Sequence, residues 1–267
     1  MTTFSVLSNV LPDPNYKIGT AGESLTTGSP GPGFASVKLT NDQKMMVTRT
    51  NSQRLIARST AGQKWKVDIN YHPMTRDEFE PVFTFLLQQK GPLTPFFISL
   101  PQYRVSRNAA WHTNFVAKTF SFGGGTPNAY QFTTTGGGTA GTSVLKINVG
   151  EHPQYTGEDY TTATNAELKT PRPGDMITLD ASAHKKAYLI TGVETLVNYR
   201  TNQTIMPTNS RDIKLTVSPP FVKNVVHPST VQFSNPLIKV VQPKPIAEYS
   251  LNTDNLYSFS LKLEEYL

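Results

Sequence analysis

Apolar and polar residues alternate strictly in one N-terminal stretch of the chain. Across residues 64–71 every second residue is apolar: Trp65, Val67, Ile69 and Tyr71. This period of two predicts a strand with one buried face and one face in water. A second candidate strand, 53–58, precedes it across a turn-forming stretch at 59–62. We therefore predict a β-hairpin formed by residues 53–58 and 64–71.

The period then changes to that of a helix. Apolar residues recur at helical spacing in Phe79, Val82, Phe83, Leu86 and Leu87. Thr75 and Glu78 have the spacing of a capping box, and Gly91 marks the expected end. Pro81 is tolerated best in the first turn, which moves the expected N-cap toward Asp77.

The C-terminus returns to alternation. Its apolar positions are Tyr257, Phe259, Leu261 and Leu263, and a short apolar strand is also predicted over 96–100. An amphipathic strand needs a sheet to cover its apolar face. We therefore expect the C-terminal strand to complete the N-terminal sheet.

The middle of the chain contains short apolar segments at 144–149, 176–179, 187–193 and 213–217, separated by Gly, Pro and Asn clusters. Short strands without helical periodicity favour a small β-barrel or sandwich. The predicted fold is mainly β, with one flanking α-helix. We predict one domain from residues 1–100 plus 221–267, with 101–220 inserted as a second β domain.

Residues 19–36 are rich in Gly, Ser, Thr and Pro. Such a segment has little capacity to pack on itself, so it predicts an extended arm. Ordering an arm costs entropy unless a neighbour holds it. The segment therefore hints at assembly with other chains.

Composition excludes several classes of protein. The 267 residues include no cysteine, which rules out disulfides, a thiolate nucleophile and Cys-ligated zinc, and fits a reducing compartment. Apolar runs of about 18 residues are absent, so we expect no membrane insertion. The net charge is +6; residues 1–100 and 101–220 each have three more cations than anions, and 221–267 are balanced. Because this excess is spread without a basic stripe, it argues against a nucleic-acid-binding protein.

Catalytic and metal-binding patterns are missing from the sequence. The histidines are widely separated: His72, His112, His152, His184 and His227. The glycine triplets at 123–125 and 136–138 do not lead into the Lys-Ser/Thr of a phosphate loop, and the Gly-x-Ser-x-Gly elbow is absent. We therefore predict no catalytic residues, no metal site and no cofactor. That the protein is an enzyme is therefore the weakest of the hypotheses.

Aromatic residues are frequent at the start of the predicted insertion, where Tyr103, Trp111 and Tyr130 are candidate partner or ligand contacts. Flat aromatic faces can stack on sugar rings. The alternative is ordinary packing in a core or a domain interface. These residues motivate a second hypothesis, a carbohydrate-binding β-sandwich module.

Several segments together resemble bacteriophage tail proteins. They are the predicted hairpin with the helix after it, Phe96-Phe-Ile-Ser-Leu-Pro101, Val231-Gln-Phe-Ser-Asn-Pro236, and the ending Tyr249-Ser-Leu…Leu256-Tyr-Ser-Phe-Ser-Leu. The order and patterns are similar to those of distal tail proteins and related baseplate-hub or tail-tube-initiator proteins. The resemblance covers about 50–101 and 215–265 and leaves 101–220 unmatched.

This resemblance implies a tail-tube-like β-sandwich that forms a ring, usually hexameric, at the distal end of the tail tube. The expected partners are copies of itself, the tube, and hub or fibre proteins, with DNA only passing through the bore. The location implied is the virion, after synthesis in the bacterial cytoplasm. Open sheet edges agree with a ring, because a closed ring pairs every edge. The candidate ring-interface residues are Arg54, Arg58, Trp65 and Tyr257.

Overall fold

The structure is a computed structural model. It describes residues 9–12, 34–59, 62–116, 119–120, 128–129, 132–149, 169–179, 186–199, 205–208, 211–244 and 248–266. The chain divides into two compact units. The first combines Met1–Ser99 with Ile238–Leu267, and the second is Leu100–Leu237.

The described strands, in chain order, are β1 (Phe34–Asp42), β2 (Met45–Arg49), β3 (Leu55–Ser59), β4 (Lys64–Tyr71), β5 (Phe96–Ser99), β6 (Thr119–Phe120), β7 (Asn128–Ala129), β8 (Phe132–Gly137), β9 (Val144–Val149), β10 (Met176–Leu179), β11 (Ala187–Thr195), β12 (Asp212–Ser218), β13 (Thr230–Gln232), β14 (Leu237–Val241), β15 (Tyr249–Leu251) and β16 (Tyr257–Glu265). The described helices are α1 (Arg76–Gln89) and a single turn, α2 (Ala109–Trp111), which widens into a π-helical turn at His112–Val116.

Strand β4 lies inside the sheet of the first unit. It pairs antiparallel with β1 on one side and with β16 on the other, and the sheet continues through β14 to β5. Its alternate residues Trp65, Val67 and Ile69 are buried, as the period of two predicts. The expected return of the C-terminal strand to the N-terminal sheet is confirmed.

The predicted hairpin between 53–58 and 64–71 is wrong. Strand β3 pairs with β2, while β4 pairs with β1. The chain reverses at residues 50–54, between β2 and β3. Residues 60–61 of the predicted turn lie outside the described part of the chain.

Helix α1 packs on the sheet through aromatic rings. The Phe79 ring stacks on that of Tyr257 with 4.6 Å between centroids, and Phe85 meets Phe96 edge-on. The N-cap is Thr75, whose backbone N–H donates to Glu78 Oε2 at 2.9 Å. The alternative start near Asp77 is wrong. Pro81 lies in the second turn, where Thr84 Oγ1 donates to the Glu80 carbonyl at 2.7 Å.

The second unit is built on a closed barrel. Its strands follow the order β10-β11-β12-β9-β8-β13, and β13 pairs with both β8 and β10 to close it. The interior is apolar and includes Leu145, Ile147, Ile190, Ile213 and Leu215. The mainly β prediction is confirmed, and the choice left open between barrel and sandwich is settled as a barrel.

The predicted end of the inserted domain at residue 220 is wrong. The second unit continues to Leu237, because the segment after β12 belongs to the barrel. Phe221 packs against Tyr188 with 4.7 Å between ring centroids, and Val231 pairs with both Phe132 and Leu179. Without that segment the barrel would lack its closing strand.

The two outer strands of the first sheet differ in whether their outer edge is hydrogen-bonded. Residues 9–11 run along β5, with hydrogen bonds from Leu11 N to Phe97 O and from Phe97 N to Asn9 O. On the opposite side, β1 has no strand partner beyond β4 among the described residues. Of the predicted arm, residues 34–36 begin β1, and 19–33 lie outside the described part of the chain.

Two glycines in the second unit provide a matched stability test. Gly138 and Gly141 both have positive φ, +70° and +84°, so alanine is strained at either position. A Cβ on Gly138 would lie 2.7 Å from Val225 Cβ, whereas a Cβ on Gly141 meets nothing within 4 Å. Gly141→Ala should lower the free energy of unfolding by about 1 kcal/mol, and Gly138→Ala by about 1–3 kcal/mol more. Denaturant titration measures both losses, and equal losses would contradict this packing.

Candidate assembly surface

The ribbon formed by β2 and β3 is uncovered in the described structure. Every side chain of β2 and residues 55–58 of β3 are exposed. Five of them are large and apolar: Met45 (55% exposed), Met46 (67%), Val47 (57%), Leu55 (56%) and Ile56 (49%). Single exposed apolar side chains are ordinary, but a cluster of them marks an interaction surface.

The strand register divides these side chains between two faces. Directly opposed residues of an antiparallel pair point to the same side, and Val47 opposes Ala57 while Arg49 opposes Leu55. We call the side formed by Met45, Val47, Arg49, Leu55 and Ala57 the ribbon face. The other side places Met46 with Arg58 and Thr48 with Ile56. The ribbon face is the more apolar of the two.

The tip of the ribbon is held by its own hydrogen bonds. Thr50 N donates to Arg54 O at 3.0 Å, and Arg54 N donates to Thr50 Oγ1 at 3.1 Å. Gln53 has a φ of 64°, which turns the chain back, and its N–H donates to Thr50 O. The ribbon therefore has a defined hairpin end before it meets any partner.

Positive charge is concentrated on this ribbon. Residues 43–63 include Lys44, Arg49, Arg54 and Arg58 and no carboxylate. In the described part of the chain the three arginines have no ion-pair partner. Counts over a hundred residues average this local excess away. Because the register puts Arg49 and Arg58 on opposite sides of the ribbon, the excess does not amount to a basic stripe.

At the base of the ribbon, in contrast, charges are paired. Lys66 Nζ lies 2.6 Å from Asp42 Oδ2, and Lys64 Nζ lies 2.8 Å from Glu264 Oε1. The hydrogen bond and charge of Lys66 hold the pKa of Asp42 below its ordinary value. Charge is thus balanced within the sheet and unbalanced on the ribbon.

The structure separates the four predicted ring-interface residues. Arg54 and Arg58 are exposed on the ribbon. Trp65 is 4% exposed, and β4 has a strand on each side, so this residue is not available to a neighbour's sheet. Tyr257 exchanges backbone hydrogen bonds with Met74 and stacks on Phe79. Placing Trp65 at a ring interface is therefore wrong.

The sequence prediction missed β2, which carries three of the five large exposed apolar side chains of the ribbon. Its apolar run, Met45-Met46-Val47, lacks strict alternation. The signal that could have found it is the polar stretch Thr50-Asn-Ser-Gln53 between two apolar runs, which is typical of a hairpin loop.

Of the three candidate aromatic residues of the insertion, the structure describes Tyr103 and Trp111. Trp111 is fully buried and stacks on Phe115 with 4.8 Å between centroids, so its use as a ligand contact is wrong. Tyr103 is half-buried in a 3₁₀ turn, and burial raises its pKa. Tyr130 lies outside the described residues. Burial of Trp111 therefore removes one of the three residues that motivated a carbohydrate-binding module.

Two buried carboxylates in the second unit have structural partners. Asp175 accepts hydrogen bonds from Ser106 Oγ, from Arg107 N at 2.8 Å and from Arg172 N at 3.1 Å. Because every donor is a backbone amide or a hydroxyl of a neighbouring loop, this carboxylate fastens two loops together.

Asp212 accepts from Thr208 N and Asn148 Nδ2, both at 3.0 Å, and lies 3.4 Å from Lys146 Nζ. Burial by itself would raise the pKa of Asp212, but these donors and the Lys146 charge outweigh it and lower the pKa. Across the described residues, no group of three or more His, Asp and Glu side chains could hold a metal ion.

Comparison with protein-family models and with curated proteins finds no match to this chain. No described helix combines the length and the apolar character needed to cross a membrane. The candidate assembly surface is therefore supported by the geometry of the described residues and by no relative.

Asp212→Asn should lower the free energy of unfolding by about 1–3 kcal/mol at neutral pH, since it removes a charged acceptor from buried donors. A lowered pKa stabilises the fold above the unfolded value near 3.9 and loses that effect as pH falls through the folded pKa. The difference between wild type and variant should therefore be constant from about pH 6 to 8 and shrink below about pH 4.

Denaturation at a series of pH values measures this difference. Asp254→Asn is the control, because the Asp254 carboxylate is exposed and accepts no hydrogen bond in the described structure. A difference that stays constant down to pH 3 would contradict the role given to Asp212.

Proposed function

We propose that this protein is a structural subunit of a bacteriophage tail, assembled as a ring at the distal end of the tail tube. There it anchors the hub or fibre proteins that recognise the host. The observation that carries the proposal is the uncovered β2–β3 ribbon, with its apolar face and its unpaired arginines. The resemblance to distal tail proteins indicates that this assembly is a ring.

The energetics of the ribbon favour a partner. A two-stranded hairpin is at best marginally stable alone in water. Burying a large apolar side chain contributes about 1.5–3 kcal/mol when it is fully covered. Five such side chains, each about half exposed, offer several kcal/mol that only a contact outside the described structure can supply.

The sheet edges support a repeating assembly. One outer strand, β5, is covered by residues 9–11, and the other, β1, has an open edge in the described part of the chain. An open edge nine residues long invites pairing with another chain. Two unlike surfaces on one molecule produce head-to-tail contacts, and these close into a ring when the rotation between copies allows it.

The second unit fits an anchoring role. The chain leaves the first sheet after β5, forms the second unit, and returns to the sheet at β14. The barrel therefore interrupts no strand of the first sheet. Loops and whole domains inserted in this manner can differ between proteins while the supporting sheet is kept. We assign the contacts with hub or fibre proteins to this unit.

The wild-type protein should form annular particles. Native mass spectrometry should show a single assembly at six times the 29.5 kDa of one chain. Negative-stain electron microscopy of the same sample should show rings with a central hole. A protein that stays monomeric up to high micromolar concentration would refute the proposal.

Substitution of one apolar ribbon residue should disrupt that assembly. Val47→Asp places a carboxylate in a surface that must be desolvated, so the concentration needed for assembly should rise at least tenfold. The matched control is Val105→Asp, because Val105 has the same 57% exposure and lies in the second unit. Sedimentation velocity measures both variants, and equal effects would argue against the ribbon as the contact.

A further inference from the structure

The methionines of the chain differ in exposure. Met45 and Met46, adjacent on β2, are 55% and 67% exposed, whereas Met74 is fully buried and Met176 is 2% exposed. Met206 is partly buried in the second unit. Among the described methionines, a reagent in water therefore reaches the two on the ribbon most readily.

A peroxide converts the thioether of an exposed methionine to a sulfoxide. A lone pair of the sulfur attacks one oxygen of hydrogen peroxide, the O–O bond breaks, and proton transfer leaves water and an S=O group. The sulfur loses two electrons and the peroxide gains two. A flexible apolar side chain thereby becomes a polar one, and methionine sulfoxide reductases reverse the change.

The two exposed methionines lie on opposite sides of the ribbon, because neighbouring residues of a strand point to opposite faces. Met45 belongs to the ribbon face, whereas Met46 opposes Arg58 on the other side. Oxidant reaches both sulfur atoms in the free chain. Only the ribbon face is assigned to the contact between copies, so a sulfoxide at Met45 must be desolvated on assembly and one at Met46 need not be.

We propose that Met45 is a redox-sensitive switch of assembly: its sulfoxide keeps a subunit out of the ring, and reduction readmits it. This rests on the proposed function and deepens it by naming a residue that regulates the contact. Burying a polar group without a hydrogen-bond partner is unfavourable, so the concentration needed for assembly should rise at least tenfold. Oxidation acts on free subunits, and a completed ring protects Met45.

Peptide mapping by mass spectrometry follows the oxidation site by site. In free subunits treated with hydrogen peroxide, Met45 and Met46 should each gain one oxygen atom well before Met74 and Met176. In assembled rings, Met45 should react several times more slowly than in free subunits, and Met46 at an unchanged rate. Equal protection of the two ribbon methionines, or oxidation of the buried methionines as fast as these two, would overturn the inference.

Two single variants separate the sulfur atoms of the ribbon. Met46→Leu retains the thioether of the ribbon face, and Met45→Leu retains the one on the other side; leucine has nearly the volume of methionine. Treated Met46→Leu should need at least tenfold more protein to assemble than the same variant untreated. Met45→Leu should assemble equally well before and after treatment. Sedimentation velocity measures both, and each comparison is made within one variant.

The matched control is Met45→Leu/Met46→Leu, which retains every other methionine of the chain. Peroxide should leave its assembly unchanged. If this variant also loses assembly, oxidation acts at another residue and the inference is wrong. Treated Met46→Leu should keep its circular dichroism spectrum and should assemble again after reduction by a methionine sulfoxide reductase. Loss of its folded structure would overturn the inference, because the sulfoxide would then act on the fold.

The outcomes also separate this inference from the proposed function. If the untreated wild type forms rings and treated Met46→Leu still assembles, the switch is wrong and the ring stands. If treated Met45→Leu loses assembly as strongly as treated Met46→Leu, the assignment to Met45 fails. A wild type that stays monomeric, oxidised or reduced, refutes the ring and the switch with it.

Discussion

The pairing of β16 with β4 is the constraint on which the first unit depends. It joins residues about two hundred positions apart, and Lys64 Nζ reaches Glu264 Oε1 at 2.8 Å across it. Glu265, only 1% exposed, accepts from the backbone N–H of Trp65 at 3.1 Å. Because this pairing brings the end of the chain back to its beginning, everything between β5 and β14 can form a separate unit without opening the sheet.

Charge is arranged differently in the parts of the first unit. Across the sheet, cations and carboxylates face each other: Lys38 and Lys262 both oppose Asp68, and Lys66 opposes Glu264. On the ribbon, residues 43–63 carry cations and no carboxylate, so the charge there is unbalanced. Exposed pairs contribute little to the stability of a single chain, whereas an unbalanced charge steers a chain toward a partner of opposite sign. The unbalanced charge of the ribbon is therefore a property suited to association.

Local pattern was sufficient to predict the strands that bury one face. Strands β4 and β16 were predicted from alternation, and the barrel strands β9 and β10 from short apolar runs. These patterns arise because each strand buries apolar side chains in a core. Local pattern does not show which strand a given strand pairs with. The pairing of residues 55–59 with 45–49 was missed because the run Met45-Met46-Val47 lacks alternation, although the polar loop at 50–53 was a local signal of a hairpin.

The candidate surface was predicted only in part for the same reason. Arg54 and Arg58 are exposed as charged residues usually are, so their sequence positions were informative. Trp65 and Trp111 are large aromatics that suit a core and an interface equally well, and only the fold shows that both are buried. The end of the insertion was missed because the closing strand β13 has only three residues, too few to carry a period.

The ribbon is the part of the chain whose local order bears on the proposed assembly. Its tip is fixed by the Thr50–Arg54 hydrogen bonds, so less conformational entropy is lost when a neighbour covers it. About half of the surface of its large apolar side chains is exposed, and that part adds nothing to the stability of the isolated chain. Their burial free energy is released only on association, which ties it to protein concentration by mass action. In the proposed ring, a surface arranged in this way would leave the subunit folded before assembly and supply apolar contacts between copies.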